Sequence, residues 1–441
     1  MPRFTPSARA VAMLLLPALP LTVIQPAAAS DWPLITAGYR HIEWIGGMGG
    51  ESPDNGNEWN GAEGQSALTA ELSEPHSATS DLQGNVYVAD KNAHAIRRIG
   101  TDGILTTVAG TNAQGFTASG PATACQLNGP QHAYPVPDGS LYILDSGNKR
   151  VCKVDPDGQL TTVLTDSKEL SRGLWVSRDG SLIYYATASE LKRWTPAQGA
   201  GPGISIANGF GDCGNLDVAA NGDIFVSDRG NSRIYRVSAG STAGTPPLPV
   251  AGLGGDTNSG PKDSGKPALT LGLREARGVA FHPAGGYFVC THFGGDIWYV
   301  DTLGVARILV EGDRNSTHEP LPQPVPTVDK VMAEPRSVTV ALNGDLLIAC
   351  NDAGYIRRIR WEPPVRPLPP AVNLVPDTAG LTVSWEMPAN TWYCLESIDN
   401  LTTGSWKREQ LGGSGSGGPL QFNVPAPARF VRLTTFAAWP N

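Results

Sequence analysis

From Pro75 onward, short apolar runs return in one frame. PHSATSDLQGNVYVAD from Pro75, PQHAYPVPDGSLYILD from Pro130 and SRGLWVSRDGSLIYYA from Ser171 superpose without gaps. CGNLDVAANGDIFVSD from Cys213, ARGVAFHPAGGYFVCT from Ala276 and PRSVTVALNGDLLIAC from Pro335 follow the same frame. In all six the second apolar run begins eleven residues after the first position, at Val86, Leu141, Leu182, Ile224, Tyr287 and Leu346. Two further β-type runs complete each unit. Turns such as PDGS, RDGS and ANGD join the first two runs, and Asp-Gly and Asn-Gly dipeptides of this kind are hairpin signals.

A four-stranded antiparallel unit with apolar side chains on both faces must be covered on both faces by neighbours. Radial stacking of six such units predicts an all-β fold, a six-bladed β-propeller. The sixth unit ends at YIRRIRW without a fourth run. RHIEWIGG, from Arg40 on, resembles the ILTTVAG run of the first unit, so residues 40–46 are expected to close blade 6 and to remove the open edges.

The GNVYVAD, GSLYILD and GDIFVSD strands, the turns after them, the TTVAG closing run and the glycine-rich links resemble NHL repeats. The resemblance spans roughly residues 35–362 and implies a secreted six-bladed NHL propeller, expected over 30–362. Residues 363–370, PPVRPLPP, read as a stiff polyproline-type linker. Beyond it LTVSW, YCLESI, LQFNV and RFVRLTTF alternate, and 371–441 are expected to form a small β-sandwich similar to fibronectin-type modules.

Composition refines this picture. Arg3 and Arg9, an apolar stretch from Ala10 to Ile24 and Ala27-Ala28-Ala29 make residues 1–29 a predicted signal peptide for export. No other stretch is long and apolar enough to span a bilayer. The formal charge of −8 becomes −10 once the two arginines are removed with that segment, which argues against a nucleic-acid partner. Six cysteines, Cys125, Cys152, Cys213, Cys290, Cys350 and Cys394, include no CxxC pair, so several are expected to be buried thiols. Asn315-Ser316-Thr317 and Asn400-Leu401-Thr402 are read as chance matches to the glycosylation motif.

Candidate chemistry collects where the inner strands start, close to the axis. In blade order that position holds His76, Gln131, Arg172, Gly214, Arg277 and Arg336; the next holds Ser77, His132, Gly173, Asn215, Gly278 and Ser337. Guanidinium groups pair carboxylate or phosphate bidentately, so an anion is one expected ligand. Alternatively Asp90, Asp145 and Asp228, at the ends of the second strands, cap their own turns and also neutralise the arginines. His94, His292 and His318 are placed in loops on the same face, and His282 and His41 towards the other.

Peptidyl-hydroxyglycine amidating lyases are similar propellers that hold zinc through histidines after proline at inner-strand starts. Pro75-His76-Ser77 looks like one such element, but Pro130-Gln131-His132 has its histidine one place late. Zinc sites need three or four convergent ligands, and His76 is at most one. No cofactor is expected, with a single Zn or Ca at the mouth kept as a possibility. The six tryptophans from Trp44 to Trp361 are expected to pack between blades. The expected function is that of an exported, monomeric, non-enzymatic binding protein. It would present its loop face to an extracellular protein, a glycan or a small anion, with adjustable links at 46–72, 110–127, 252–273 and 312–335. The alternative is a lyase or lactonase using His76, Arg172, Arg277 and Arg336.

Overall fold

The computed structural model describes residues 30–49, 56–282, 285–312, 325–326, 332, 334–341, 343–350, 354–362 and the strands between 372 and 437. The expected signal peptide, the 363–370 linker, His318 and both Asn-x-Ser/Thr motifs lie outside the described residues.

Six antiparallel sheets follow one another along the chain, each running from an inner strand outward. The inner strands are Pro75–Ser80, Pro130–Pro135, Leu170–Val176, Cys213–Val218, Ala276–Phe281 and Pro335–Val340. Each touches the inner strands on either side, so they ring a common axis and the fold is a six-bladed β-propeller. Apolar clusters fill the spaces between blades. Ile143, Cys152 and Leu160 of blade 2, for example, pack on Ala89, Ile96 and Ala109 of blade 1.

Blade 6 takes its outer strand from the beginning of the chain. His41–Gly46 lies antiparallel to Tyr355–Ile359, with Trp44 opposite Arg357. The short helix Trp32–Gly38 fastens this segment down: Ile35 and Tyr39 are buried, and the Tyr39 hydroxyl donates to the Gly344 carbonyl at 2.5 Å.

Blade 3 departs from the sequence frame. Its inner strand pairs Leu170 with Thr187, where blade 1 pairs Pro75 with Asp90 and blade 4 pairs Cys213 with Asp228. Its first position is therefore Leu170, not Ser171, and its second strand starts at Ile183, not Leu182. One residue is added in the bulged inner strand and another in the following hairpin, so an ungapped alignment is in register only between them and misses by one residue at each end. The strands between 372 and 437 form two three-stranded antiparallel sheets.

The described cysteines Cys125, Cys152, Cys213, Cys290 and Cys350 are all buried and none is in a disulfide. Trp298 and Trp361 are buried in inter-blade cores, and Trp44 packs against the same core as Trp361. Among the described residues no helix is long and apolar enough to cross a membrane.

Candidate functional site

Every inner strand but that of blade 3 opens with a one-residue irregularity, as between Pro75 and Ser77 or Pro335 and Ser337, and blade 3 has a longer one. A bulge re-aims side chains at the start of a strand. Here it brings His76, Gln131, Arg172, Arg277 and Arg336 together around the axial mouth. Glycine fills the remaining positions because the strands are too close for a side chain. A Cβ on Gly214 would stand 2.6 Å from the Arg277 carbonyl oxygen, and one on Gly278 would stand 2.8 Å from the Val338 nitrogen.

The aspartates at the ends of the second strands do not neutralise the mouth arginines. Asp90 accepts from the Ser73 N–H and the Arg97 guanidinium, and Asp145 from the Asn128 N–H and Arg150. Asp228 accepts from the N–H groups of Gly211, Asp212 and Asn231. They tie each blade to the link that enters it. The counter-charges come from acids just ahead of the inner strands. Arg277 donates through Nε and Nη2 to one oxygen of Glu275, Arg336 lies 3.7 Å from Glu74, and Arg172 lies 3.9 Å from Asp212. Glu74 and Glu275 hold left-handed backbone, φ 63° and 52°, and so does Glu334 at 49°. Such a conformation is costly outside glycine and needs support from its surroundings. The mouth therefore carries charges of both signs; ion pairing at the arginines is one of the two sequence readings, with Glu74, Asp212 and Glu275 in the place given there to Asp90, Asp145 and Asp228.

Neutral polar groups line the same space. Asn215 is 2% exposed, and neither its amide nitrogen nor its oxygen has a partner among the described residues. The Oγ atoms of Ser77 and Ser337, the Oε1 of Gln131 and the Nε of Arg172 are buried in the same condition. Gln131 donates through Nε2 to Ser146 at 3.1 Å. A buried polar atom without a partner costs on the order of 1–3 kcal/mol, so this cluster calls for water or ligand hydrogen bonds.

Both histidines at the mouth are weak bases. Burial lowers His76 to about 4, with Arg172 acting in the same direction and Glu74, 3.7 Å away, opposing it. Burial also lowers His132 to about 4. His132 Nδ1 meets the Arg172 carbonyl at 3.2 Å, so Nδ1 carries the proton and Nε2 keeps its lone pair. Arg172 is lowered to about 10, by burial first and then by Arg277 and Arg229, and stays charged at neutral pH.

Beneath the mouth the channel widens into a cavity of ≈ 120 Å³ touched by all six inner strands, with His132, Tyr134, Asn215 and Asp217 on its wall. His132 thus looks into the channel although it stands one place late in its strand. Asp217 ties blade 4 to blade 5 by accepting the Phe281 N–H at 2.8 Å.

Two further histidines serve the fold. His94 Nδ1 accepts the Gly129 N–H at 3.0 Å, and His282 is buried against the rings of Tyr39, Phe288 and Trp361. Among the described residues no group of three or more His, Cys, Asp or Glu could hold a metal ion, so those residues do not by themselves make the three-ligand set of a catalytic zinc. The acids ahead of the inner strands escaped the sequence reading. The signal was available in Glu74-Pro75-His76, Glu275-Ala276-Arg277 and Glu334-Pro335-Arg336, one place before the repeat frame.

No family model matches the chain, and no curated protein matches it. Solved structures do. A protein of unknown function from Bacteroides thetaiotaomicron aligns over 73% of this chain and 76% of its own, at 14% identity and a TM-score of 0.55. An auxiliary nutrient binding protein from the same organism aligns over 74% and 77%, at 14% identity and a TM-score of 0.54. Enzymes also occur among the matches; a streptogramin B lyase covers 74% of this chain and 98% of its own at 12% identity, but at a TM-score of 0.47 it carries no functional argument. At these identities the likeness is one of fold.

Proposed function

We propose that the chain is an exported, non-enzymatic binding protein whose axial mouth takes a small hydroxyl-rich ligand of the glycan class. The observation that carries this reading is the set of buried neutral groups at the mouth, Asn215, Ser77, Ser337 and Gln131, with polar atoms unpartnered among the described residues, between arginines that each have a carboxylate within 4 Å. An amide beside hydroxyls donates and accepts as sugar hydroxyls require. A general base at neutral pH needs a pKa near 7, and burial holds His76 and His132 well below it. The auxiliary nutrient binding protein with this fold is compatible with the reading.

Export rests on residues 1–29, the NHL assignment on the repeat motifs, and a β-sandwich spacer or surface attachment on the alternating strands after 371. The test is calorimetric titration with neutral mono- and oligosaccharides. Binding by the protein and a loss of at least tenfold in Asn215→Leu is the expected result. Binding only to charged ligands, unaffected at Asn215, would overturn it.

A further inference from the structure

Blades 1 and 6 carry nearly the same hairpin, VYVADKNAHAIRRI and LLIACNDAGYIRRI. The registers agree. Pro75 pairs with Asp90 and Val88 with Arg97, while Pro335 pairs with Cys350 and Ile348 with Arg357. Arg357 is thus the counterpart of Arg97, and Cys350 that of Asp90.

In blade 1 each part of the guanidinium has a partner. Arg97 Nε donates to Asp90 at 3.1 Å, Nη1 to the Thr107 hydroxyl at 2.6 Å and Nη2 to the Asn112 side-chain oxygen at 2.6 Å, with the Trp59 ring 3.5 Å away. Blade 2 repeats the arrangement from a neighbouring position, with Arg150 on Asp145 at 2.7 Å and on Thr162 at 3.0 Å, beside the Phe116 ring.

Blade 6 keeps the arginine and replaces its partners. Cys350 ends one atom beyond Cβ, where Asp90 ends in a carboxylate. Trp44 stands opposite Arg357, where Thr107 stands opposite Arg97. Arg357 is 2% exposed, its Nε and Nη1 have no hydrogen-bond partner among the described residues, and the Tyr355 ring lies 4.3 Å from it. Guanidinium cannot shed its proton to relieve burial, as lysine can. An aromatic face offers it attraction but accepts no directed N–H bond.

We infer that blade 6 holds a small-oxyanion site, in which a carboxylate, sulfate or phosphate supplies at Arg357 the acceptor oxygens that Asp90 and Thr107 supply at Arg97. The site is separate from the axial mouth and independent of the function proposed for it.

Thermal unfolding of the full chain in sodium sulfate, against sodium chloride of equal ionic strength, tests the inference. Sulfate should raise Tm saturably, by about 2 °C or more at ten times the half-saturating concentration. General salting-out by sulfate rises without saturation and is subtracted on that basis. Arg357→Met should raise Tm in chloride and abolish the saturable part. Cys350→Asp restores an internal counter-ion and should do the same, so the test survives if one variant fails to fold. The absence of a saturable shift in the unaltered protein, or its survival in Arg357→Met, would overturn the site. Loss of the shift in Arg172→Gln with retention in Arg357→Met would also overturn it and assign the anion to the mouth.

Discussion

Blade 1 is continuous in sequence, whereas blade 6 is assembled from the two ends of the propeller, and they differ in how they treat a shared arginine. In blade 1 the link that enters the blade supplies Ser73 to Asp90 and Trp59 to Arg97, so charge, cap and lid form one unit. In blade 6 the outer strand arrives from His41–Gly46 and sets Trp44 where blade 1 has a threonine. The closing strand thus brings apolar surface to the ring but no acceptor for Arg357. Six copies of one frame need not be six copies of one energetic design.

The largest expected effect comes from removing what makes blade 6 composite. Deleting residues 30–46 takes away the outer strand, the Tyr39 anchor and the Ile35 and Ile42 contributions to the core, and exposes Tyr355–Ile359 as an edge. The propeller should lose its cooperative thermal transition, as followed by circular dichroism. A transition of unchanged midpoint would mean that the ring is not closed through this strand.

Next in size is the arginine contrast itself. Asp90→Ala leaves Arg97 charged and enclosed, and breaking a buried pair on one side costs about 3–5 kcal/mol. Cys350→Ala removes only a buried sulfur and should cost about 1 kcal/mol. Equal losses in urea denaturation would erase the distinction between the blades.

Much of this fold could be read in the chain because strand and turn periodicity is local. The DG and NG turns and the alternating runs locate the hairpins, and the resemblance of RHIEWIGG to ILTTVAG points to the closing strand. The inner-strand residues could be found for the same reason. What escaped depends on side chains that meet across the repeat frame. Nothing in Asp90 alone says that it will bond Ser73 and Arg97 rather than a mouth arginine. The left-handed backbone of Glu74 and Glu275, which sets their carboxylates against arginines, leaves only a faint mark in sequence because such residues are usually glycine or asparagine. Blade 3 misled by one residue at each end because an ungapped frame can be in register only between its two insertions.

A smaller effect separates the channel from the blade bodies. Burial raises Asp217 to about 6 from the ordinary 3.8, against the backbone N–H bonds from Phe281 and Val218. The folded state therefore favours the protonated form. That contribution is complete below about pH 3.8 and is lost as pH rises through about 6. The stability advantage of the unaltered protein over Asp217→Asn should shrink by about 1–2 kcal/mol between pH 4 and pH 7.5, the cavity wall moderating the full shift. A difference that stays constant with pH would show that Asp217 titrates normally.

The smallest stability effect is expected at the mouth, where the largest binding effect is also expected. Ser77 and Ser337 are fully buried and their hydroxyls have no partner among the described residues, so Ser→Ala at either site should lower stability by no more than about 0.5 kcal/mol. Blade residues behave in the opposite way, since Asp90 and Arg97 carry stability and face no channel. If the mouth is a binding surface, the double variant Ser77→Ala/Ser337→Ala should melt almost unchanged and yet bind saccharide at least fivefold more weakly. A loss of stability comparable to that of Asp90→Ala would instead make these hydroxyls part of the frame, held by ordered water, and would move the search for the ligand away from the axis.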